Sequence, residues 1–164
     1  MGRDPTPGEP PPQQAPALHG QLIQQLELIH ASEMSLASDL EWLIGRTKWL
    51  PLRLILSDLR RETSRHLDRL SRLVPGLASP PAPVVPPAAR SKPNGNSGDQ
   101  LAAAAVIAGP LRAARAAVAG YGAAIATATE RGLADVARLL TSSLTEKANS
   151  SRRLSSLAAA IGDQ

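Results

Sequence analysis

The chain has 164 residues, which suits a single domain, and its 18 basic and 14 acidic side chains give a formal net charge of +4. It contains no cysteine, which excludes disulfides, thiolate metal sites and cysteine nucleophiles. Hydrophobic residues make up 43% and aromatic residues 2%, so the core has to be built from Leu, Ala, Ile and Val, a composition that favours helices over a sheet.

Residues 1–16 are predicted to be a disordered tail. They hold six of the 15 prolines, and proline removes a backbone donor and clashes inside a helix. The tail lacks the basic segment followed by an apolar stretch that is typical of a signal peptide. No apolar run in the chain reaches the roughly 18–20 residues of a membrane span. We therefore expect a cytoplasmic protein.

The first predicted helix covers about 17–46 and carries an unexpected carboxylate in its apolar face. An apolar stripe is found when positions are measured from Leu22 at about 100° per residue. Leu26, Ile29, Leu36 and Leu40 lie within about 40° of Leu22. Glu33 falls at about 20°, in the middle of this stripe. A carboxylate in a core is costly unless it is paired, protonated or bound to a metal ion. Glu33 is therefore the first candidate functional residue.

The second predicted helix begins near Pro51, a residue suited to a first helical turn, and runs to about residue 74. With Leu52 as the origin, His66 falls at about 320°, inside the apolar stripe, and Glu62 at about 280°, on its edge. A Glu and a His on one inward turn can serve as metal ligands or form a hydrogen-bonded pair. A solvated, salt-bridged face is predicted for the arginines on the opposite side: Arg61, Arg65, Arg69 and Arg72.

Residues 75–99 contain a second cluster of seven prolines, within 75–93, followed by an Asn, Gly and Ser-rich piece. This composition predicts a semi-rigid connection without helix. A connection of this length is unusual inside one domain, but it suits the crossover between two helical hairpins.

Two further helices are predicted over about 100–131 and 133–160, separated by Gly132, a residue typical of a helix C-cap. Pro110 is expected to kink the third helix or to break its first turns. On the fourth helix, with Leu133 as the origin, Lys147 falls at about 320° and Glu146 at about 220°, off the stripe. The sequence therefore directs a lysine, and no carboxylate of this helix, toward the core.

These elements predict an all-α fold in which a hairpin over 17–74 and a hairpin over 100–160 are joined by the connection 75–99. Four amphipathic helices with one long crossover are typical of the ferritin-like four-helix bundle.

The sequence also resembles the YciE/YciF-type ferritin-like stress proteins of bacteria, over about 18–73 and 100–158. The most specific piece is the Ala-Gly-Tyr-Gly at 119–122 with the Ala-rich stretch and glycine that follow it. Four stretches carry the resemblance: HASEMSL at 30–36, RRETSRHLDRL at 60–70, AAVAGYGAAIATATERGLADVARLL at 116–140 and LTEKANSSRRLSSLA at 144–158.

The resemblance implies a centre that can hold two metal ions in the middle of the bundle. By position, Glu33 matches the first-helix carboxylate, and Glu62 matches the second-helix carboxylate with His66 one turn later. The third helix departs from the pattern, because Ala114 and Ala117 stand where the family tends to carry acids. The fourth helix has Glu146-Lys147 in place of a Glu-Glu pair, and Ser151 at a later acidic position.

Half of the implied ligand set is thus missing, and we expect a degenerate centre in which the ammonium of Lys147 replaces a metal ion and neutralises Glu33 or Glu62. The predicted function is that of a non-catalytic, stress-associated bundle without a cofactor, which associates with copies of itself, as a dimer, or with other proteins. The alternative is a single iron or manganese ion held by Glu33, Glu62 and His66, with water or Glu146 completing the shell. No catalytic motif is present, and nucleic-acid binding ranks third because acidic residues offset the arginines.

Overall fold

The structure, a computed structural model, describes residues 20–77 and 98–162, and its side chains over 20–77 and 106–160. Four α-helices make up the described chain: α1 (Gly20–Arg46), α2 (Leu50–Leu73), α3 (Gly98–Glu130) and α4 (Ala134–Gly162). The all-α prediction and all four helices are confirmed. The predicted tail 1–16 and residues 78–97 of the predicted connection lie outside the described residues.

The turn between α1 and α2 consists of residues 47–49. Trp49 holds the N-cap position of α2 without a side-chain hydrogen bond, and Pro51 lies in the first turn, where its missing N–H has no helical partner to lose. Trp42 is partly covered by the guanidinium of Arg46, whose Cζ lies 4.6 Å from the ring centroid. Trp49 thus lies in this turn, and Trp42 lies near the end of α1.

Pro110 does not break α3, contrary to one of the two outcomes expected for it. The helix runs without interruption from Gly98 to Glu130 with Pro110 inside it, and the proline is buried. An interior proline removes one backbone hydrogen bond and crowds the preceding turn. The flanking alanines form helix well, and packing of their buried face supplies the tertiary stabilisation that compensates for this cost.

Gly132 ends α3 in the conformation that the sequence predicts. Its φ angle is +69°, the left-handed region that glycine adopts without strain. The N–H of Leu133 donates to the carbonyl of Ala128 at 2.9 Å and the N–H of Gly132 to that of Thr129 at 3.0 Å. This pair of bonds is the Schellman motif, which satisfies the last carbonyls of the helix and lets α4 begin at once.

Two apolar clusters fill opposite ends of the bundle. The first joins the start of α1 and α4 to the end of α2 and α3, and the second joins the other four ends. Hence α1 and α2 are antiparallel, as are α3 and α4, and α2 is parallel to α3. Since α2 ends where α3 also ends, the chain between Leu77 and Gly98 joins opposite ends of the bundle. The predicted crossover between the two helical hairpins is thereby confirmed. The first cluster consists of Leu22, Leu26, Ile29, Leu70, Ala117, Tyr121, Ala124, Ala128, Leu133, Val136 and Leu140. The second consists of Leu36, Leu40, Leu52, Leu56, Leu59, Ile107 and Leu154.

A polar layer separates these two clusters at mid-height. Along α1, Glu33 lies between Ile29 of the first cluster and Leu36 of the second, and along α4 Lys147 lies between Leu140 and Leu154. None of the four helices, over the residues described, is long and apolar enough to cross a bilayer.

Candidate functional site

The polar layer is the candidate site, because it buries ionisable groups at the centre of the bundle. Glu33 is 1% exposed and His66 and Lys147 are fully buried. Buried charges are rare unless they are paired and hydrogen-bonded. The layer also contains four further buried side chains with polar groups: Glu62, Thr63, Tyr121 and Ser150.

Lys147 lies between the two buried carboxylates. Its Nζ atom is 2.9 Å from Oε2 of Glu33 and 3.8 Å from Oε1 of Glu62. It also donates a hydrogen bond to the hydroxyl of Thr63 at 3.3 Å. The ammonium therefore bridges α1, α2 and α4 and supplies the positive charge that the carboxylates require.

The other oxygen of Glu33 is also engaged. Oε1 accepts a hydrogen bond from the hydroxyl of Tyr121 at 3.2 Å and lies 3.3 Å from Nδ1 of His66. Burial raises the pKa of Glu33, but the hydrogen bond to His66 and the charge of Lys147 outweigh burial, so that its pKa lies below the ordinary value. Burial and the charge of Glu33 raise the pKa of Tyr121 far above its ordinary value, which keeps the phenol a donor.

The network continues from His66 to the surface. Nε2 of His66 lies 3.0 Å from Oε2 of Glu146, whose side chain is 30% exposed. Arg69 donates to Oε1 of Glu146 at 2.9 Å and to the hydroxyl of Ser143 at 3.1 Å. Burial raises the pKa of Glu146, but the hydrogen bonds with Arg69 and His66 lower it below its ordinary value. A continuous chain of polar contacts thus runs from solvent to Glu33.

The charges of this network balance when both ring nitrogens of His66 carry a proton. Both ring nitrogens of His66 meet a carboxylate oxygen, and because an ionised carboxylate only accepts, both contacts are hydrogen bonds only in the imidazolium form. In that form three cationic groups, Lys147, Arg69 and His66, face three carboxylates, Glu33, Glu62 and Glu146.

Glu62 is the least satisfied member of the layer. The hydroxyl of Ser150 donates to its Oε2, whereas its Oε1 is buried and accepts no hydrogen bond. A buried carboxylate oxygen without a donor costs free energy. The nearby charge of Lys147, 3.8 Å away, offsets part of that cost without a hydrogen bond.

The interface between α2 and α4 is held by polar contacts along its length. As residue numbers rise along α2 they fall along α4, which is the order of antiparallel neighbours. Five cross-contacts follow this order: Asp58 with Arg153, Glu62 with Ser150, Thr63 with Lys147, His66 with Glu146, and Arg69 with Ser143.

The donor set does not fit a metal ion in this arrangement. Both oxygens of Glu33 are occupied by protein donors, and the ammonium of Lys147 lies between Glu33 and Glu62, where it would repel a cation. Within 20–77 and 98–162, no group of three His, Asp or Glu side chains is arranged to hold an ion.

The structure brings together every residue that the sequence singled out for this site: Glu33, Glu62, His66, Glu146 and Lys147. Glu146 falls off the apolar stripe of α4, yet it reaches His66 from the rim of the α2–α4 interface. Arg69 is predicted on a solvated, salt-bridged face; it does form a salt bridge, with Glu146, but its side chain is only 25% exposed, because it lies at the edge of the α2–α4 interface.

Sequence reasoning used Tyr121 only as part of the Ala-Gly-Tyr-Gly motif and missed its hydrogen bond to Glu33, as well as the roles of Thr63 and Ser150. Thr63 adjoins Glu62 on the inner face of α2, and Ser150 lies near Lys147 on α4. Thr63 falls at about 20° on the wheel of α2, an inward hydroxyl that the projection detects but cannot assign to a partner. Ser150 falls at about 260° on the wheel of α4, off the stripe, so the projection gives no signal for it.

The sequence and the fold were compared with known proteins. The profile of the family described as "Domain of unknown function (DUF892)" matches residues 17–164. The crystal structure of the E. coli stress protein YciF is similar with a TM-score of 0.72 and 20% identity, over 88% of this chain and 96% of that chain. YcfI from Rhodopseudomonas palustris, for which a structural role has been suggested, is similar with a TM-score of 0.67 and 24% identity, over 82% of this chain and 90% of that chain. No functionally curated protein matches the sequence significantly.

Proposed function

Since the chain belongs to the DUF892 family, of the YciF type that its motifs indicate, we propose that it is a non-catalytic bundle that acts in the cytoplasm by associating with other protein chains. A role under stress is supported by the name of YciF, a stress protein. A structural role is supported by the suggestion made for YcfI.

The observation that carries this proposal is the position of Lys147. Its ammonium, fully buried, contacts Glu33 at 2.9 Å and faces Glu62 at 3.8 Å. An ammonium supplies charge and hydrogen bonds but neither Lewis acidity nor redox chemistry. The layer then serves to hold the four helices in one arrangement, a role that buried polar groups have in several other proteins.

A second candidate function is a single iron or manganese ion at Glu33, Glu62 and His66. One observation favours it: Oε1 of Glu62 is buried without a hydrogen-bond donor, and a cation would satisfy this oxygen. This candidate requires Lys147 to leave its position between the carboxylates.

Metal content distinguishes the two candidates. The full chain, purified without a His-tag, is incubated anaerobically with Fe(II) or Mn(II), desalted and subjected to elemental analysis. We expect no metal above that of a metal-free control protein. About one ion per chain would instead support the single-ion site, and about two would overturn the proposal in favour of a ferritin-like di-metal centre.

Substitutions of Lys147 test whether its charge excludes the metal. Lys147→Glu replaces the ammonium with a carboxylate, and we expect this variant to bind Mn(II) and to gain thermal stability on binding. Lys147→Met is the matched control, which removes the ammonium without adding a ligand, so it measures the effect of the charge alone and should bind Mn(II) more weakly than Lys147→Glu.

Lys147→Met should also be less stable than wild type by about 3–5 kcal/mol in urea unfolding, because Glu33 remains buried without its counter-charge. The double variant Glu33→Gln with Lys147→Met should recover much of this loss, since glutamine is neutral and still accepts from Tyr121. An unchanged melting curve for Lys147→Met would disprove the buried ion pair.

A further inference from the structure

The outward face of α3 carries a stripe of six exposed residues, which we name the α3 seam: Arg112, Ala116, Ala119, Ala123, Ala126 and Glu130. Successive members are four, three, four, three and four residues apart. This is the spacing of a coiled-coil seam, in which residues repeat every 3.5 positions on average and face one partner helix.

The α3 seam is complementary to itself in the antiparallel direction. Its spacing is the same from either end, its four inner members are alanines, and its two ends have opposite charges. If a second copy of α3 runs antiparallel with the two-fold axis level with Tyr121, Ala119 faces Ala123 of the second copy. In the same register Arg112 faces Glu130 of the second copy, and Glu130 faces its Arg112.

The ends of the α3 seam cannot pair within one chain. Eighteen residues separate Arg112 from Glu130, which corresponds to about 27 Å along a helix. The side chains of Arg112 and Glu130 make no ion pair or hydrogen bond with the rest of the described chain. Arg115, the other exposed arginine of this part of α3, is directed to α4, where it donates to the hydroxyl of Ser155 at 3.3 Å. Within 20–77 and 106–160, therefore, neither charge of the α3 seam is neutralised by an ion pair.

A second feature lies at the same height on the neighbouring helix. Leu28 of α1 is 73% exposed, the largest exposed fraction among the large hydrophobic residues of the described chain. Its neighbour Ile29 packs against Gly120, with Cγ1 3.3 Å from where a Cβ would lie. Leu28 is thus level with the middle of the α3 seam, and it offers apolar area to a chain that packs across both helices.

We propose that a second copy of this chain packs against the α3 seam in the antiparallel direction, so that two bundles form a two-fold symmetric dimer. This inference rests on the proposed function, which requires association, and it names the surface and the partner. The small alanine side chains let the two helix axes approach closely, and the paired charges at both ends fix direction and register.

The first experiment measures the oligomeric state of the full chain by sedimentation equilibrium. We expect the wild type to be a dimer at micromolar concentration and Ala119→Arg with Ala123→Arg to be a monomer, because two long charged side chains then fill the middle of the seam. Ala159→Arg on α4 is the matched control, since it places arginine at an exposed alanine outside the seam, and it should remain dimeric.

The second experiment exchanges the charges at the ends of the seam. Arg112→Glu and Glu130→Arg should each raise the dimer dissociation constant about tenfold, because each turns two attractive contacts into repulsive ones. The variant with both substitutions should return to within about threefold of wild type. Restoration identifies an intermolecular contact, since the two residues are too far apart to interact in one chain.

A monomeric wild type at all concentrations would overturn the proposal, as would a dimer that Ala119→Arg with Ala123→Arg leaves intact. These outcomes are independent of the metal content on which the proposed function is tested. A metal-free bundle that dimerises through another surface would refute the α3 seam alone.

Discussion

The carboxylate of Glu33 is the point at which the four helices meet. From α1 it accepts from Lys147 on α4 and from Tyr121 on α3, and it meets His66 on α2. One buried side chain therefore fixes the heights of three neighbouring helices. Since charge-assisted hydrogen bonds in a low dielectric are strong, and costly when one partner is lost, this residue should dominate the pH dependence of stability.

Acid should therefore weaken the bundle through Glu33. Its pKa in the folded protein lies below the ordinary value of 4.5, so its ionised form contributes stability above that pH and loses this contribution as the pH falls through the folded pKa. We expect Glu33→Gln to be clearly less stable than wild type at pH 7. The difference should begin to shrink as the pH falls below 4.5 and be smallest below the folded pKa of Glu33, where its side chain is neutral like that of glutamine.

Urea unfolding at several pH values, followed by circular dichroism, checks this expectation. Glu41→Gln is the control, because the side chain of Glu41 is 71% exposed and pairs only with an exposed arginine, Arg60. Its stability should stay close to wild type at every pH. A difference between Glu33→Gln and wild type that does not change with pH would exclude a charged Glu33.

At the scale of the helices, each interface has its own chemistry. Half of the described residues that α3 buries are alanines, so neighbouring helices approach it closely, as Ile29 does at Gly120. The interface of α2 with α4 is joined instead by hydroxyls and charged groups. Apolar burial at both ends of the bundle supplies stability, whereas the polar contacts fix which helices pair and at what height.

Two glycines of the second hairpin should respond to alanine in opposite directions. Gly132→Ala should lower the free energy of unfolding by about 1 kcal/mol, because its φ angle of +69° is unfavourable for a residue with a Cβ. Gly122→Ala should raise it by about 0.5–1 kcal/mol, because Gly122 lies inside α3 and a Cβ there meets nothing within 4 Å. Thermal and urea unfolding of both variants measure the two effects. Equal signs would contradict the assigned end of α3.

At the scale of the whole molecule, the order of the helix ends decides the connectivity. The end of α2 and the start of α3 lie at opposite ends of the bundle, as the two apolar clusters demonstrate. The 24 residues of α2 correspond to about 36 Å, and the segment between Leu77 and Gly98 has to cover at least this distance. The segment's length, more than its sequence, is therefore what the fold requires.

Shortening this segment should be tolerated down to a threshold. A deletion that leaves fourteen of residues 78–97 can still reach about 50 Å and should preserve the native helix content and melting behaviour. A deletion that leaves six reaches only about 25 Å, so it should prevent the native pairing of the two hairpins. Circular dichroism and urea unfolding measure both variants. Native stability of the shorter variant would refute the crossover.

The sequence alone determines the elements of this fold, because local patterns encode them. The spacing of leucines defines α1, α2 and α4, an alanine-rich stretch defines α3, Gly132 ends α3, and one proline cluster separates the hairpins. The inward positions of Glu33, His66 and Lys147 also follow from helical periodicity. The motifs at 30–36, 60–70 and within 116–158 are sufficient to identify the family.

Only the tertiary structure decides which of these groups meet. Periodicity gives the direction of a side chain relative to its own helix, but not the height or rotation of the neighbouring helix. For this reason the sequence leaves open which carboxylate pairs with Lys147, gives no partner for Tyr121, and places Arg69 on a solvated, salt-bridged face without naming its partner. Packing of the four helices supplies the missing heights, and it brings Lys147 to Glu33, Tyr121 to the same carboxylate and Arg69 to Glu146.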